Sequence, residues 1–152
     1  MEGEFISIRP PSEASSFLLP ITYGCSNNKC IFCNYSLSSA IRFQPRPLED
    51  IESDIERVAR DYSWRVQRVF LQDGDALAFP YSGLARVLES LNAQLPALER
   101  VGSYATPRDV LRKTPQELGH LRQLKLGILY MGVETGDEEL LKKIRKGVSY
   151  TE

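Results

Sequence analysis

Residues 21–35 read Ile21-Thr-Tyr-Gly-Cys-Ser-Asn-Asn-Lys-Cys-Ile-Phe-Cys-Asn-Tyr35 and contain every cysteine of the chain, namely Cys25, Cys30 and Cys33. Thiols gathered this closely in a polar loop are typical of metal ligands rather than of core packing. Because a closed tetrahedral site takes four ligands, three thiolates predict a metal centre that keeps one coordination position open.

Another interpretation of the cysteines stays open on these residues alone. A structural zinc ion could take His120, the one histidine in the sequence, as its fourth ligand. His120 falls within a predicted helix, far along the chain from the cysteines, which suits zinc poorly. A disulfide framework is disfavoured because the cysteine number is odd and Met1-Glu-Gly-Glu-Phe5 does not resemble a secretory signal. The sequence therefore predicts a reducing, cytoplasmic location.

The length and overall composition of the chain are those of an ordinary globular domain. The chain has 152 residues, enough for one domain with a core, and 42% of them are hydrophobic. The net charge is −1, and the basic residues form no cluster or stripe in the sequence, so nothing indicates a nucleic acid as partner. The apolar runs are too short to span a bilayer, so nothing indicates a membrane either.

Beyond an N-terminal arm over residues 1–16, short apolar runs alternate with amphipathic stretches. The runs predict four strands of a parallel sheet, at Phe17–Thr22, Arg68–Gln72, Arg100–Tyr104 and Gly127–Val133. Apolar residues at helical spacing predict helices at 48–62, from 84 to about 95, from Thr114 and from Asp137 to Gly147. The third helix carries a capping box of Thr114 and Glu117.

Strand and helix repeated four times predict an α/β fold, a partial TIM-like barrel of four parallel βα units. The loops that follow parallel strands lie on one rim, where such folds place their chemistry. Polar clusters follow each predicted strand: the cysteines, Asp73-Gly-Asp75, Ser103-Tyr-Ala-Thr106 and Glu134-Thr-Gly136. We therefore expect these clusters to share one rim.

The cysteine pattern resembles the signature of the radical S-adenosylmethionine (radical SAM) superfamily. The family pattern has three and then two residues between its cysteines, with an aromatic residue before the third. The second gap and Phe32 match this pattern, whereas the first gap, residues 26–29, has four residues. The resemblance runs from about residue 17 to residue 147 and corresponds to the N-terminal half of the family's barrel.

The resemblance also implies a set of cofactor-binding residues. Asp73, Gly74 and Asp75 match a family segment that holds the cofactor's amino group, with Asp75 at the acidic position. Glu134 and Ser103 match positions that meet its ribose or methionine part, and Phe32 would pack on adenine or shield the metal. From the residues alone, the aspartates suit a turn equally well, and Glu134 suits a helix start.

The implied function is that of an enzyme. Cys25, Cys30 and Cys33 would hold a [4Fe-4S] cluster whose open iron binds S-adenosylmethionine. An electron donor would reduce the cluster, and reductive cleavage of S-adenosylmethionine would then give a 5′-deoxyadenosyl radical. This radical would abstract hydrogen from an unknown substrate. The alternative is a catalytically incomplete fragment, or a metal-binding module without turnover.

The domain organisation predicted from the sequence is an arm over 1–16, a partial radical SAM barrel over 17–147 and a truncated stub over 148–152. The family's usual barrel has more strands than the four predicted here. The missing barrel half or a second chain is therefore an expected partner.

Overall fold

The structure, a computed structural model, describes residues 8–33 and 42–152. In chain order its strands and longer helices are β1 (Phe17–Pro20), β2 (Thr22–Tyr23), β3 (Gln44–Pro45), α1 (Leu48–Tyr62), β4 (Arg68–Gln72), α2 (Tyr81–Gln94), β5 (Arg100–Tyr104), α3 (Pro107–Leu111), α4 (Pro115–Gln123), β6 (Leu126–Tyr130) and α5 (Glu138–Lys143). Single 3-10 turns lie at Pro11–Glu13 and Ala76–Ala78. Within these residues, no helix has both the length and the apolar character needed to cross a bilayer.

The main sheet has the order β1-β4-β5-β6, and each neighbouring pair is parallel. This confirms the predicted α/β fold of four parallel βα units, half the strand number of a TIM barrel. The carboxyl ends of the four strands meet at one edge, because parallel strands run in the same direction. The domain boundaries proposed from the sequence stay predictions.

The core lies between the sheet and its covering helices. Alternate strand residues such as Val69 and Leu71 face the helices, as period-2 geometry requires. The helices pack against the sheet with fully buried side chains at helical spacing, among them Ile51, Ile55, Leu84, Val87, Leu88, Leu91 and Leu121. The capping box of Thr114 and Glu117 is present, so the predicted start of α4 is confirmed.

The structure differs from the predicted elements in four places. The helix α5 ends at Lys143 rather than at Gly147. The first strand ends at Pro20, and Thr22 and Tyr23 leave the main sheet to pair antiparallel with Pro45 and Gln44. The strand β6 ends at Tyr130 rather than at Val133. The helix α3 was not predicted; it begins at a second capping box, formed by Thr106 and Asp109.

The described part of the N-terminal arm packs against the sheet on the face opposite the helices. Rings of Phe70, Tyr104 and Tyr130 meet edge to face there, with centroids 5.1 to 6.4 Å apart. Glu13 is fully buried beside them. Its carboxylate accepts hydrogen bonds from Arg100 Nη2 and Tyr130 OH, each at 2.6 Å, and from Ser16 Oγ. The arm is therefore anchored through one buried acid.

Replacing Glu13 with glutamine should lower the free energy of unfolding at neutral pH by about 2 kcal/mol, since charge-assisted hydrogen bonds are lost. Burial acts to raise the pKa of Glu13, but hydrogen bonds from Ser16 and Tyr130 and the nearby arginine charges outweigh it. The pKa therefore lies below its ordinary value of 4.5. A carboxyl group whose pKa is lowered by folding stabilises the fold at pH values above its pKa in the unfolded chain. This contribution disappears as the pH falls through the pKa of the folded protein.

Urea unfolding of wild type and Glu13→Gln at several pH values measures this effect. The difference between the two proteins should shrink as the pH is lowered below 4.5. Glu56→Gln, a change at an exposed position of α1, serves as the matched control and should stay within about 0.5 kcal/mol of wild type. A Glu13→Gln effect that is independent of pH would contradict the ionic role of Glu13.

Candidate functional site

The cysteine loop, residues 24–33, is fastened to the turn that follows β4. Asp73 Oδ2 accepts a hydrogen bond from Gly24 N at 3.1 Å. Asp75 Oδ1 accepts one from Ser26 N at 2.9 Å, and Asp75 Oδ2 accepts from Ser26 Oγ. The aspartate turn, residues 73–75, therefore lies alongside residues 24–26 and holds the start of the cysteine loop against the sheet edge.

Gly74 lies between these two hydrogen-bonded contacts and packs on Cys25. A Cβ at residue 74 would lie 2.5 Å from Cys25 Cβ and 2.7 Å from Cys25 Cα. Only glycine permits this approach without movement of the backbone. The close packing brings the first cysteine to the carboxyl end of β4.

The three cysteines line one cavity of about 370 Å³ at the carboxyl edge of the sheet. Of the cofactor-binding residues that the sequence predicts, Phe32, Asp73, Gly74 and Glu134 line the same cavity. Its volume falls in the range of small-molecule sites, and its walls are mostly apolar with a few polar groups, as is typical of such sites. The structure thus brings most of the predicted site residues together.

Two predicted residues lie apart from the cavity wall. Ser103 is fully buried, and its Oγ donates to the carbonyl oxygen of Tyr104 at 2.8 Å. Asp75 is also buried, with its carboxylate turned to Ser26. The cofactor roles of Ser103 and Asp75 stay predictions. Asp73 is the acid of the turn that reaches the cavity.

Burial disfavours negative charge at Cys25 and at Asp75. Burial and then the Asp75 carboxylate raise the pKa of Cys25 to about 11. Burial also raises the pKa of Asp75 to about 6, against the opposing effect of its hydrogen bonds from Ser26. Cys25 is therefore a thiol at neutral pH, and a metal that binds it must displace its proton.

Glu134 and Lys146 form an ion pair at the cavity wall. Lys146 Nζ lies 2.8 Å from Glu134 Oε1, and it also lies 5.5 Å from the centre of the Phe32 ring. Glu134 has a φ of 61° and Asp73 a φ of 107°, conformations that are uncommon outside glycine. Backbone strain of this kind clusters at functional sites.

Sequence reasoning missed several residues of the cavity. Lys146, near the end of the last predicted helix, had no predicted role in the site. Asn27, which lies beside Cys30, had no predicted role. The remaining wall is formed by Ile8, Tyr104, Ala105, Thr106, Tyr130 and Gly132. The one local signal for this region was the polar cluster after β5, residues 103–106.

The three cysteines are a donor set that suits an iron–sulfur cluster, and His120 lies apart from them. Within residues 8–33 and 42–152, no three or more cysteine, histidine or acidic side chains lie in an arrangement that could hold a metal ion. A cluster is held by cysteine thiolates, which is the donor set that this cavity offers. His120 is not among the cavity residues; its Nδ1 lies 2.9 Å from Tyr81 OH, between α4 and α2.

Comparison with known proteins agrees with this geometry. The model of the Radical SAM superfamily matches residues 19–152, which span the cysteine loop, the aspartate turn and Glu134. No curated protein matches the chain. The family match covers most of the chain and includes every residue on which the candidate site depends, so the chain belongs to the radical SAM superfamily.

Proposed function

We propose that this chain binds a [4Fe-4S] cluster and S-adenosylmethionine in the cavity at the carboxyl edge of the sheet, and that it takes part in radical formation there. The observation that carries the proposal is that Cys25, Cys30 and Cys33 line one cavity together with Asp73, Gly74 and Glu134. A bare metal-binding module has no need of two acids beside its thiols.

The cysteines are the proposed cluster ligands. Cys30 is buried, whereas Cys25 and Cys33 are partly exposed at the cavity. Three protein thiolates would leave one iron of the cluster open for S-adenosylmethionine. When bound, the cluster and a low-potential electron donor would supply the chemistry of reductive S-adenosylmethionine cleavage, which in turn would allow hydrogen abstraction from a substrate.

Asp73 is the acid that we assign to the cofactor's ammonium group. It lines the cavity beside Gly74, and a carboxylate next to an ammonium forms a charge-assisted hydrogen bond. Asp75 acts in this proposal as the anchor of the cysteine loop, because its two oxygens accept hydrogen bonds from Ser26 N and Ser26 Oγ. The resemblance implies a cofactor contact for Asp75 instead, so the two acids make an informative pair of variants.

Glu134 is the residue that we assign to the ribose. A carboxylate accepts several hydrogen bonds, so its pairing with Lys146 leaves capacity for a ribose hydroxyl. Phe32 offers an apolar ring at the mouth of the cavity for the adenine. The apolar remainder of the wall would exclude water from the reacting groups.

The proposal is tested by anaerobic reconstitution with iron and sulfide, followed by S-adenosylmethionine and a one-electron reductant. We expect release of 5′-deoxyadenosine that depends on the cluster and the reductant. Cluster formation without this product would reduce the proposal to the metal-binding alternative.

Asp73→Asn and Asp75→Asn should affect different steps. In protein that holds its cluster, Asp73→Asn should weaken S-adenosylmethionine binding at least about tenfold, the effect of losing one charge-assisted hydrogen bond. Asp75→Asn should lower iron per chain, because one amide oxygen cannot accept the hydrogen bonds from both Ser26 N and Ser26 Oγ. Asp73→Asn, by contrast, keeps one oxygen for the loop contact from Gly24 N. Equilibrium dialysis, normalised to iron, separates the two effects.

If the two variants showed the opposite effects, Asp75 rather than Asp73 would be the residue that contacts the cofactor's ammonium group. In that case Asp75→Asn would lose cofactor affinity at full iron content, while Asp73→Asn would keep normal affinity.

A further inference from the structure

The cysteine loop has a second attachment, at the end of the last helix. Ile31 N donates to the carbonyl oxygen of Ile144 at 3.1 Å, and Asn27 Nδ2 donates to the carbonyl oxygen of Arg145 at 3.0 Å. The backbone can present these carbonyls because Arg145 and Gly147 both adopt positive φ, at 55° and 76°. The loop is thus held between the aspartate turn on one side and residues 144–147 on the other.

The side chain of Asn27 makes a second hydrogen bond, which reaches a cysteine. Its Nδ2 donates to Cys30 Sγ at 3.0 Å. An amide nitrogen carries two hydrogens, so the sulfur and the Arg145 carbonyl together use both of them. Turning the amide over would place its oxygen against two acceptors, so these partners fix which end of the side chain faces Cys30.

Gly147 makes room for this arrangement. A Cβ at residue 147 would lie 2.9 Å from Asn27 Cγ, and the positive φ at this position also favours glycine. Asn27 belongs to the four-residue gap between the first two cysteines, residues 26–29. The wider gap therefore contains a side chain that is oriented onto a thiol.

We propose that Asn27 is a positioning residue that sets the reduction potential of the cluster through its hydrogen bond to the sulfur of Cys30. Hydrogen bonds to cluster sulfurs tune the reduction potential, and a donor stabilises the more negative, reduced state. Asn27 therefore raises the potential, and the carbonyl of Arg145 keeps the donor in place. This inference rests on the proposed function, since it requires a cluster on Cys30.

The test is an EPR-monitored redox titration of reconstituted protein without S-adenosylmethionine. Asn27→Leu has a similar shape but no donor, so its midpoint potential should be more negative than that of wild type at equal iron content. The matched control is Asn28→Gly, which changes the neighbouring asparagine and suits its φ of 41°. The control should keep the wild-type potential.

Asn27→Ser is the second variant, in case leucine disturbs the loop. It keeps a polar residue but shortens the side chain, and it should show the same downward shift. Full iron content with an unchanged potential in either variant would overturn the proposal. Failure of both variants to take up iron would also overturn it, because Asn27 would then act in assembly. A wild type without a cluster would instead refute the proposed function itself.

Discussion

Gly74→Ala should lower the free energy of unfolding by about 3 kcal/mol, at the upper end of the range for overpacking. It should also cut iron uptake by at least about half, because the first metal ligand must move. The added Cβ would meet Cys25 Cβ at 2.5 Å, Cys25 Cα at 2.7 Å and the Gly24 carbonyl oxygen at 3.0 Å. These atoms belong to the backbone or are fixed to it, so no flexible side-chain end can yield. The aspartate turn and the cysteine loop must separate instead.

Urea unfolding and iron analysis after reconstitution measure the two effects. Gly119→Ala is the matched control, since a Cβ there meets nothing within 4 Å and the position lies within α4. Alanine should stabilise that helix by about 0.5–1 kcal/mol. A Gly74→Ala protein with wild-type stability and full iron content would contradict the close packing of residues 74 and 25.

Alanine in place of Cys25, Cys30 or Cys33 should each lower iron from about four atoms per chain to below about one, because an incomplete ligand set does not hold the cluster. The loss should be similar for each cysteine, since all three line the same cavity. Iron and sulfide analysis, together with the visible absorption of the cluster, measures this outcome.

His120→Ala is the informative control for the cysteine series. The side chain of His120 meets Tyr81 rather than the cavity, so iron content should remain at the wild-type value. A zinc site with His120 as fourth ligand predicts the opposite, namely metal loss in this variant. Retention of iron after removal of any one cysteine would contradict the assigned ligand set.

The main sheet could be predicted because each of its strands is marked by a short apolar run of consecutive residues. The strands β4 and β5 begin and end where their apolar runs do, and the α4 capping box lies within the sequence Thr114-Pro-Gln-Glu117. The β2–β3 pair could not be predicted in this way. Its strands are two residues long and lie far apart in the sequence, so the pairing depends on tertiary contacts rather than on a periodic pattern.

The candidate site could be predicted in part for a similar reason. The cysteines and Asp73 follow strands, and the edge of a parallel sheet gathers such residues. Which aspartate reaches the cavity depends on the φ of 107° at Asp73, which the sequence does not reveal. The contacts of Lys146 and Asn27 depend on the turn at Arg145, which brings the end of the last helix onto the cysteine loop.

The central claim is that the three cysteines hold a cluster whose remaining iron binds S-adenosylmethionine. The most direct measurement is the EPR spectrum of the reconstituted, reduced protein before and after addition of S-adenosylmethionine. Our account predicts a cluster signal that changes on addition, with a weaker response in Asp73→Asn. A cluster signal that S-adenosylmethionine leaves unchanged, or a colourless protein loaded with zinc, would contradict it.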